Sequence, residues 1–447
     1  VNRPDGIYQE QIGYSRGSLW APFHAVGMVA RLRGDLPAEV VEAALRKLKV
    51  LYPPLACRVR LEKDGSGWLT REGVGDLAVE ERQGAADDDW TGLFLEQERI
   101  PFAFDRGPLA RFFLLRGDGR SDLVAIVPHV ICDGPAMVDV MTDAAELLND
   151  PNRKVASPHP PPPASWKTMA HAATDNLLLR GAIGVANRLW PGKREGMGQE
   201  EYEEVHRVYW ATRKNGLLAF VLEPDETAGL LARCRQRGLS VSGALLAACL
   251  LAEAAGRPDR RTTLGNVTVA VNMRSRMLVP PGRAVGIYAS NISLAIRPRP
   301  GTDFWELAGE CHGRLHQALG HRSQILWPLA VGEIKPAISD SLLAALSTGE
   351  LRRRLGPLSR LVKIGGMNPG LDVSNIGRVE LPCARAPIGL ETMLPLPPLW
   401  PGGGIALNVL TVDGQMNLIL KYRLDQNNDA GVAGIRDRAL QYLAESS

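Results

Sequence analysis

His129, Asp133 and Gly134 stand at a spacing that suits proton-transfer chemistry. An imidazole titrates near neutral pH, so it can take a proton from an attacking hydroxyl or amine and return it later in the cycle. The elements that must position it are readable on either side. Residues 123–127 form a short, continuous apolar run rich in β-branched side chains, the pattern of a strand buried on both faces. Pro128 cannot donate to a sheet ladder, so pairing is expected to stop there. A helical pattern runs from about 135 to 148, with Asp133 at its start. A histidine at the end of a buried strand, just before a helix, is partly desolvated and sits where α/β proteins tend to place chemistry. Cys132, three residues from His129, raises the question of a thiol nucleophile.

His129-Val-Ile-Cys-Asp133-Gly134 matches the HxxxDG signature, and on it the chain resembles the CoA-dependent acyltransferase superfamily. That superfamily takes in chloramphenicol acetyltransferase, peptide-synthetase condensation domains, polyketide-associated acyltransferases and alcohol acetyltransferases. Pro54-Leu55-Ala-Cys-Arg58 is similar to its P-L-x-x-R segment. Residues 101–111, Pro-Phe-Ala-Phe-Asp-Arg-Gly-Pro-Leu-Ala-Arg, are similar to its PFDL-x-x-GPL-x-R entry into the strands before the histidine. The stretch 266–291 resembles the block in which an arginine precedes a VG segment and an asparagine, here Arg274, Val285-Gly286 and Asn291, with Arg276 as the alternative arginine. Asp372-Val-Ser374-Asn375-Ile-Gly377 resembles the SN-x-G segment of the polyketide-associated and alcohol-acylating branches. Two features depart from the family pattern. Pro128 stands where many relatives carry a first histidine, and the DFGWG motif of the plant-type enzymes is absent.

The resemblance implies a fold and a set of roles. The fold is α/β, two chloramphenicol-acetyltransferase-like lobes, each a mixed sheet with helices, with the active-site channel between them. We expect an N-terminal lobe at 1–153, a proline-rich crossover at 154–165 and a C-terminal lobe at 166–447. The proline run 160–163 favours extended geometry and supports the crossover. His129 is implied as general base and Asp133 as structural, held by Arg274. A buried carboxylate needs a partner, and a planar guanidinium can bind it bidentately. Backbone N–H groups at the helix start near Gly134, with Ser374 or Asn375, are expected to meet an oxyanion.

The bounds agree with a soluble enzyme. The 447 residues suffice for two sizeable cores, and 45% hydrophobic with 23% charged is an ordinary globular composition. Lys+Arg number 52 against 49 Asp+Glu, so net charge gives no argument for nucleic acid or a membrane surface. No apolar run reaches the length of a membrane span and no secretory signal opens the chain. The six cysteines are scattered, which reads as reduced thiols in a cytoplasmic protein. His312 and His316 lie four apart on an amphipathic helical pattern, but no third ligand accompanies them, so no metal is expected. Residues 351–363 are strongly basic, which suits a solvated face or, functionally, CoA phosphates or an acidic carrier protein. Residues 192–204 read as a polar, irregular stretch.

The function expected is acyl transfer from acyl-CoA or an acyl-carrier protein to the hydroxyl of a small molecule, with no tightly bound cofactor. The alternatives are a condensation enzyme forming an amide between carrier-bound substrates, and a non-catalytic docking module for carrier proteins.

Overall fold

Residues 120–128 are buried from Ser121 onward because both faces of their strand are covered. In the computed structural model, which describes all residues except 1–6, 85–88, 118, 157–163, 166–167, 170–176, 191–195, 257–264, 300, 321–328, 330–331, 351–369, 382–385, 403 and 445–447, that strand is central to the first lobe. The elements of this part are β1 (Gln9–Gln11), β2 (Ala25–Arg33), α1 (Ala38–Leu51), β3 (Arg58–Leu61), β4 (Gly67–Thr70), β5 (Val79–Gln83), α2 (Asp89–Gln97), β6 (Arg111–Gly117), β7 (Arg120–Pro128) and α3 (Gly134–Asn149). Helix α1 buries Val41, Ala44, Leu45 and Leu48 as one stripe. It starts after Pro37, whose extended backbone (φ −66°, ψ 142°) sets the entry.

The later part comprises α4 (Leu177–Leu189), α5 (Gln199–Ala211), β8 (Asn215–Leu222), α6 (Pro224–Gln236), α7 (Val241–Gly256), β9 (Asn266–Asn272), β10 (Ala289–Ala295), α8 (Phe304–Gly320), α9 (Pro336–Thr348), β11 (Gly370–Val379), β12 (Leu390–Leu396), β13 (Gly404–Val412), β14 (Gln415–Arg423) and α10 (Asp429–Ala444). Six strands pair in the order β10-β9-β11-β13-β14-β8, with β11 parallel to both its neighbours. Helix α7 is buried nearly all round, and α8 and α10 pack beside it over this sheet. Asp413 and Gly414 close the β13–β14 hairpin with φ of 46° and 94°, the two positive values a type I′ turn demands.

The lobes exchange elements. The first-lobe sheet has the order β12-β2-β7-β6-β5, so its edge strand β12 comes from beyond residue 166 and pairs with β2 from Leu390 to Leu396. Residues 1–153 therefore do not complete their own sheet. Of the stretch expected to be polar and irregular, residues 199–204 instead open helix α5. In α5, Tyr202, Val205, His206, Tyr209 and Trp210 share one buried face, and Tyr202 and Val205 join the first hydrophobic core. Most of the proline-rich crossover and all of the basic run 351–363 lie outside the described residues. Among the described residues, no single helix is long and apolar enough to cross a membrane.

Candidate active site

The pairing of β7 with β2 delivers His129. Pro128 occupies the last register position, opposite Ala25, and the next backbone N–H, that of His129, donates to the His24 carbonyl at 2.7 Å. A tight turn follows, with Ile131 N–H on Pro128 O at 3.1 Å and Cys132 N–H on His129 O at 3.3 Å. This turn brings the Cys132 carbonyl to 2.7 Å from His129 Nδ1. A carbonyl can only accept, so Nδ1 carries a proton, and in the neutral ring the lone pair lies on Nε2. The ring is oriented as a base without help from a carboxylate. It lines a crevice of about 290 Å³ that His24, Glu98, Phe102, Tyr202 and His206 also wall.

Asp133 is 1% exposed and makes a different set of contacts. Arg274 Nη1 and Nη2 each donate to one of its oxygens at 2.8 Å. The Tyr288 N–H donates to Oδ2 at 2.9 Å and the Ala136 N–H to Oδ1 at 3.1 Å, the latter capping α3. A buried ion pair holds only with such geometry and extra donors, because both ions lose their water. Arg274 lies in the short turn after β9, with its N–H on Asn272 Oδ1 at 3.0 Å and its guanidinium 4.9 Å from the Tyr288 ring centre. Arg276, the alternative partner, instead reaches the Leu319 carbonyl at 3.4 Å.

Gly134 touches the second lobe. A Cβ there would lie 3.0 Å from both Cδ1 and Cγ1 of Ile376, so the absent side chain is what lets β11 approach the motif. Ile376 is the extra residue of a bulge between Asn375 and Gly377, and Gly377 has φ of 110°. Asn375 is committed to that bulge: its Oδ1 accepts the Gly377 N–H at 3.1 Å, and its Nδ2 faces Ser242 Oγ at 3.4 Å. Ser374, two residues before Ile376, is half-buried. Asn291 is exposed on the edge strand β10, opposite Ala270, and makes no described hydrogen bond to the motif.

The helix start offers less to an oxyanion than the sequence suggests. Pro135 has no N–H, Ala136 donates to the Asp133 carboxylate and Met137 donates to the Asp133 carbonyl, leaving Gly134. Cys132 is fully buried, and burial with Asp133 beside it holds its thiol far above the ordinary range. A protonated thiol is a poor nucleophile. His312 Nδ1 accepts the Ser240 N–H at 3.1 Å at the start of α7, a structural bond.

Sequence reasoning missed His24. Its ring centre is 5.8 Å from that of His129 and 5.6 Å from that of Trp400. Burial, then His129 and Lys421, lower its pKa to about 3, so a second imidazole, neutral at working pH, stands beside the first. The only route to it was the β2–β7 register, which sets the residue before Ala25 next to the residue after Pro128.

Residues 218–393 match the model of the family described as phthiocerol/phthiodiolone dimycocerosyl transferase C-terminus. The whole chain has a two-lobed counterpart in polyketide synthase associated protein 5 from Mycobacterium tuberculosis, at 16% identity and a TM-score of 0.58, covering 98% of each chain. The whole chain shares its fold with acyltransferases and condensation domains. The TRI3 trichothecene 15-O-acetyltransferase from Fusarium sporotrichioides shares the fold at 12% identity and a TM-score of 0.66, with 99% of this chain and 96% of that one covered. The first condensation domain of the CDA synthetase does so at 15% identity and a TM-score of 0.59, with 98% and 96% covered. A search of curated proteins found no sequence match. An O-acetyltransferase and a condensation domain thus share this fold at similar distances from this chain.

Proposed function

We propose that this chain transfers an acyl group from a thioester, acyl-CoA or acyl-carrier protein, to a hydroxyl of a small molecule, with His129 as general base. The observation that carries the reading is the 2.7 Å contact of His129 Nδ1 with the Cys132 carbonyl, which makes Nε2 the basic nitrogen of the neutral ring. Nε2 takes the acceptor proton as the oxygen attacks the thioester carbonyl. The tetrahedral oxyanion is met by the Ser374 hydroxyl, with Gly134 N–H as the remaining backbone donor at the helix start. The imidazolium then returns its proton to the departing thiolate, and no acyl-enzyme forms. Asp133 does not polarise His129; with Arg274 it fixes the turn that presents it. Arg274 stands as the positioning partner and Asn375 shapes the bulge that carries Ser374.

Thiol release from a panel of acyl-CoAs and acyl-carrier proteins, with mixed hydroxyl and amine acceptors, tests the reading. Acceptor-dependent release should fall by roughly a hundred- to ten-thousandfold in His129→Ala, the range general-base removal commands. Release with amine acceptors alone would replace ester formation by amide formation. Equal release in the variant would overturn the role of His129.

A further inference from the structure

A second, small crevice is lined by Val130 and Ile131 of the motif turn. Val130, the residue after His129, lines both crevices, so the two spaces share the wall that carries the base. The second is bounded by apolar side chains, Ile12, Ile131 and Val285 among them, by the tyrosines Tyr14 and Tyr288, and by one carboxyl group, that of Glu10 on β1. Tyr8 donates its hydroxyl to Glu10 Oε2, and among the described residues no cation pairs with it. An apolar cleft with one carboxylate and two aromatic rings is the chemistry that recognises an organic cation, through charge and the ring faces together. The same carboxylate repels the phosphates of CoA, which makes this the acceptor's side.

We propose that the Glu10 crevice binds a protonated amine on the acceptor, so that the substrate class is an amino alcohol whose ammonium is held here while a separate hydroxyl reaches His129. This rests on the acyl-transfer reading. A bound ammonium has no lone pair and cannot itself be acylated, so the attacking group lies elsewhere on the same molecule. Burial pushes the Glu10 carboxyl up to about 7, against the Tyr8 hydrogen bond. Among the described residues, the titratable groups around it are Tyr8 just before β1, Cys57 on the turn before β3 and Tyr288 on the loop before β10. Burial holds all three above their ordinary values, so they remain neutral. Glu10 must ionise to receive the cation, so binding strengthens with pH. Between pH 6 and pH 8 the ionised fraction of a group of pKa near 7 rises about tenfold.

The test uses n-hexylammonium and 1-hexanol as probes, with calorimetric titration of the full chain. The wild type should bind hexylammonium at least tenfold more tightly than hexanol at pH 8. That preference should shrink about tenfold at pH 6 and vanish in Glu10→Gln. Equal binding of the two probes by the wild type, which needs no variant, would overturn the inference, as would a preference that survives Glu10→Gln. A parallel arm compares KM for 6-amino-1-hexanol and 1-hexanol with acetyl-CoA and with an acetylated carrier protein. If no acceptor is acylated but Glu10-dependent binding is present, the acyl-transfer reading fails and the cation site stands. If both alcohols are acylated with equal KM, the reverse holds.

Discussion

Buried ion pairs tie the halves of the chain together, and two of them are built on different cations. Asp133 meets Arg274 through two parallel bonds of 2.8 Å, with two backbone N–H groups filling its remaining lone pairs. Glu98, on the wall of the first crevice, meets Lys421 of β14 through one bond of 2.6 Å. Lys421 is wholly buried and also reaches the Pro397 carbonyl at 2.9 Å, with its ammonium 4.6 Å from the Phe94 ring centre. A guanidinium cannot shed its proton inside a protein, whereas a buried ammonium can. Burial already lowers the Lys421 pKa against the pull of Glu98. The arginine pair is therefore a permanent charge at the turn that carries His129, and the lysine pair a conditional one.

Removing the carboxylates separates the two cases. Asp133→Asn strands a charged Arg274 in a site where it is 15% exposed, and should cost about 3–5 kcal/mol. The melting temperature should drop at every pH between 7 and 9.5, and acyl transfer should fall with it because the turn holding His129 loosens. An Asp133→Asn protein that melts with the wild type would show that the pair does not hold the lobes together.

Glu98→Gln should cost less, about 1–3 kcal/mol, because Lys421 can neutralise and the Pro397 carbonyl remains its partner. The cost should also depend on pH. In the variant, the folded state gives up the Lys421 proton well below 10.5 while the unfolded chain keeps it to about 10.5. The unfolded state thus binds more protons in that window, and stability rises with pH. Melting curves at pH 7 and 9.5 should show the deficit against wild type narrowing for Glu98→Gln and holding constant for Asp133→Asn. Parallel behaviour of the two variants would erase the distinction between the cations.

The arginine pair was legible in the sequence and the lysine pair was not, for a physical reason. Asp133 lies in a contiguous motif, and a carboxylate at a buried helix start needs a cation. Lys421 sits in a strand whose neighbours are apolar, and its partner Glu98 follows α2, which carries no comparable signal. The Asp413-Gly414 hairpin was legible because only a few residue types tolerate two successive positive φ values. The pairing of β12 with β2 was not, because β-branched and leucine-rich segments carry no record of which edge they join. Helix α5 was hidden by its outer face. Glu200, Glu201, Glu203 and Glu204 dominate its first turns, and the stripe that continues through Val205, His206, Tyr209 and Trp210 lies mostly beyond the acidic cluster. His24 had no local signal at all; only the register of two strands brings it to His129.

The smallest effect tests a link between the lobes that carries no charge. Gly134→Ala places a methyl group 3.0 Å from two atoms of Ile376, tighter than ordinary contact, and the helical backbone at 134 does not itself forbid alanine. The clash falls on the side chain of a bulged residue, which can move, so the cost should be about 1 kcal/mol. Ile376→Val shortens one arm of that side chain, and in the double variant the two losses should fail to add by at least about 0.5 kcal/mol, as expected for residues in direct contact. Because Ile376 follows Ser374 and Asn375 on β11, pushing it away also shifts the hydroxyl assigned to the oxyanion. Gly134→Ala should therefore lower kcat more than its small stability loss explains, and Ile376→Val should restore part of it. A variant that loses stability but keeps full kcat would leave the packing intact as a structural contact and remove Ser374 from the reaction.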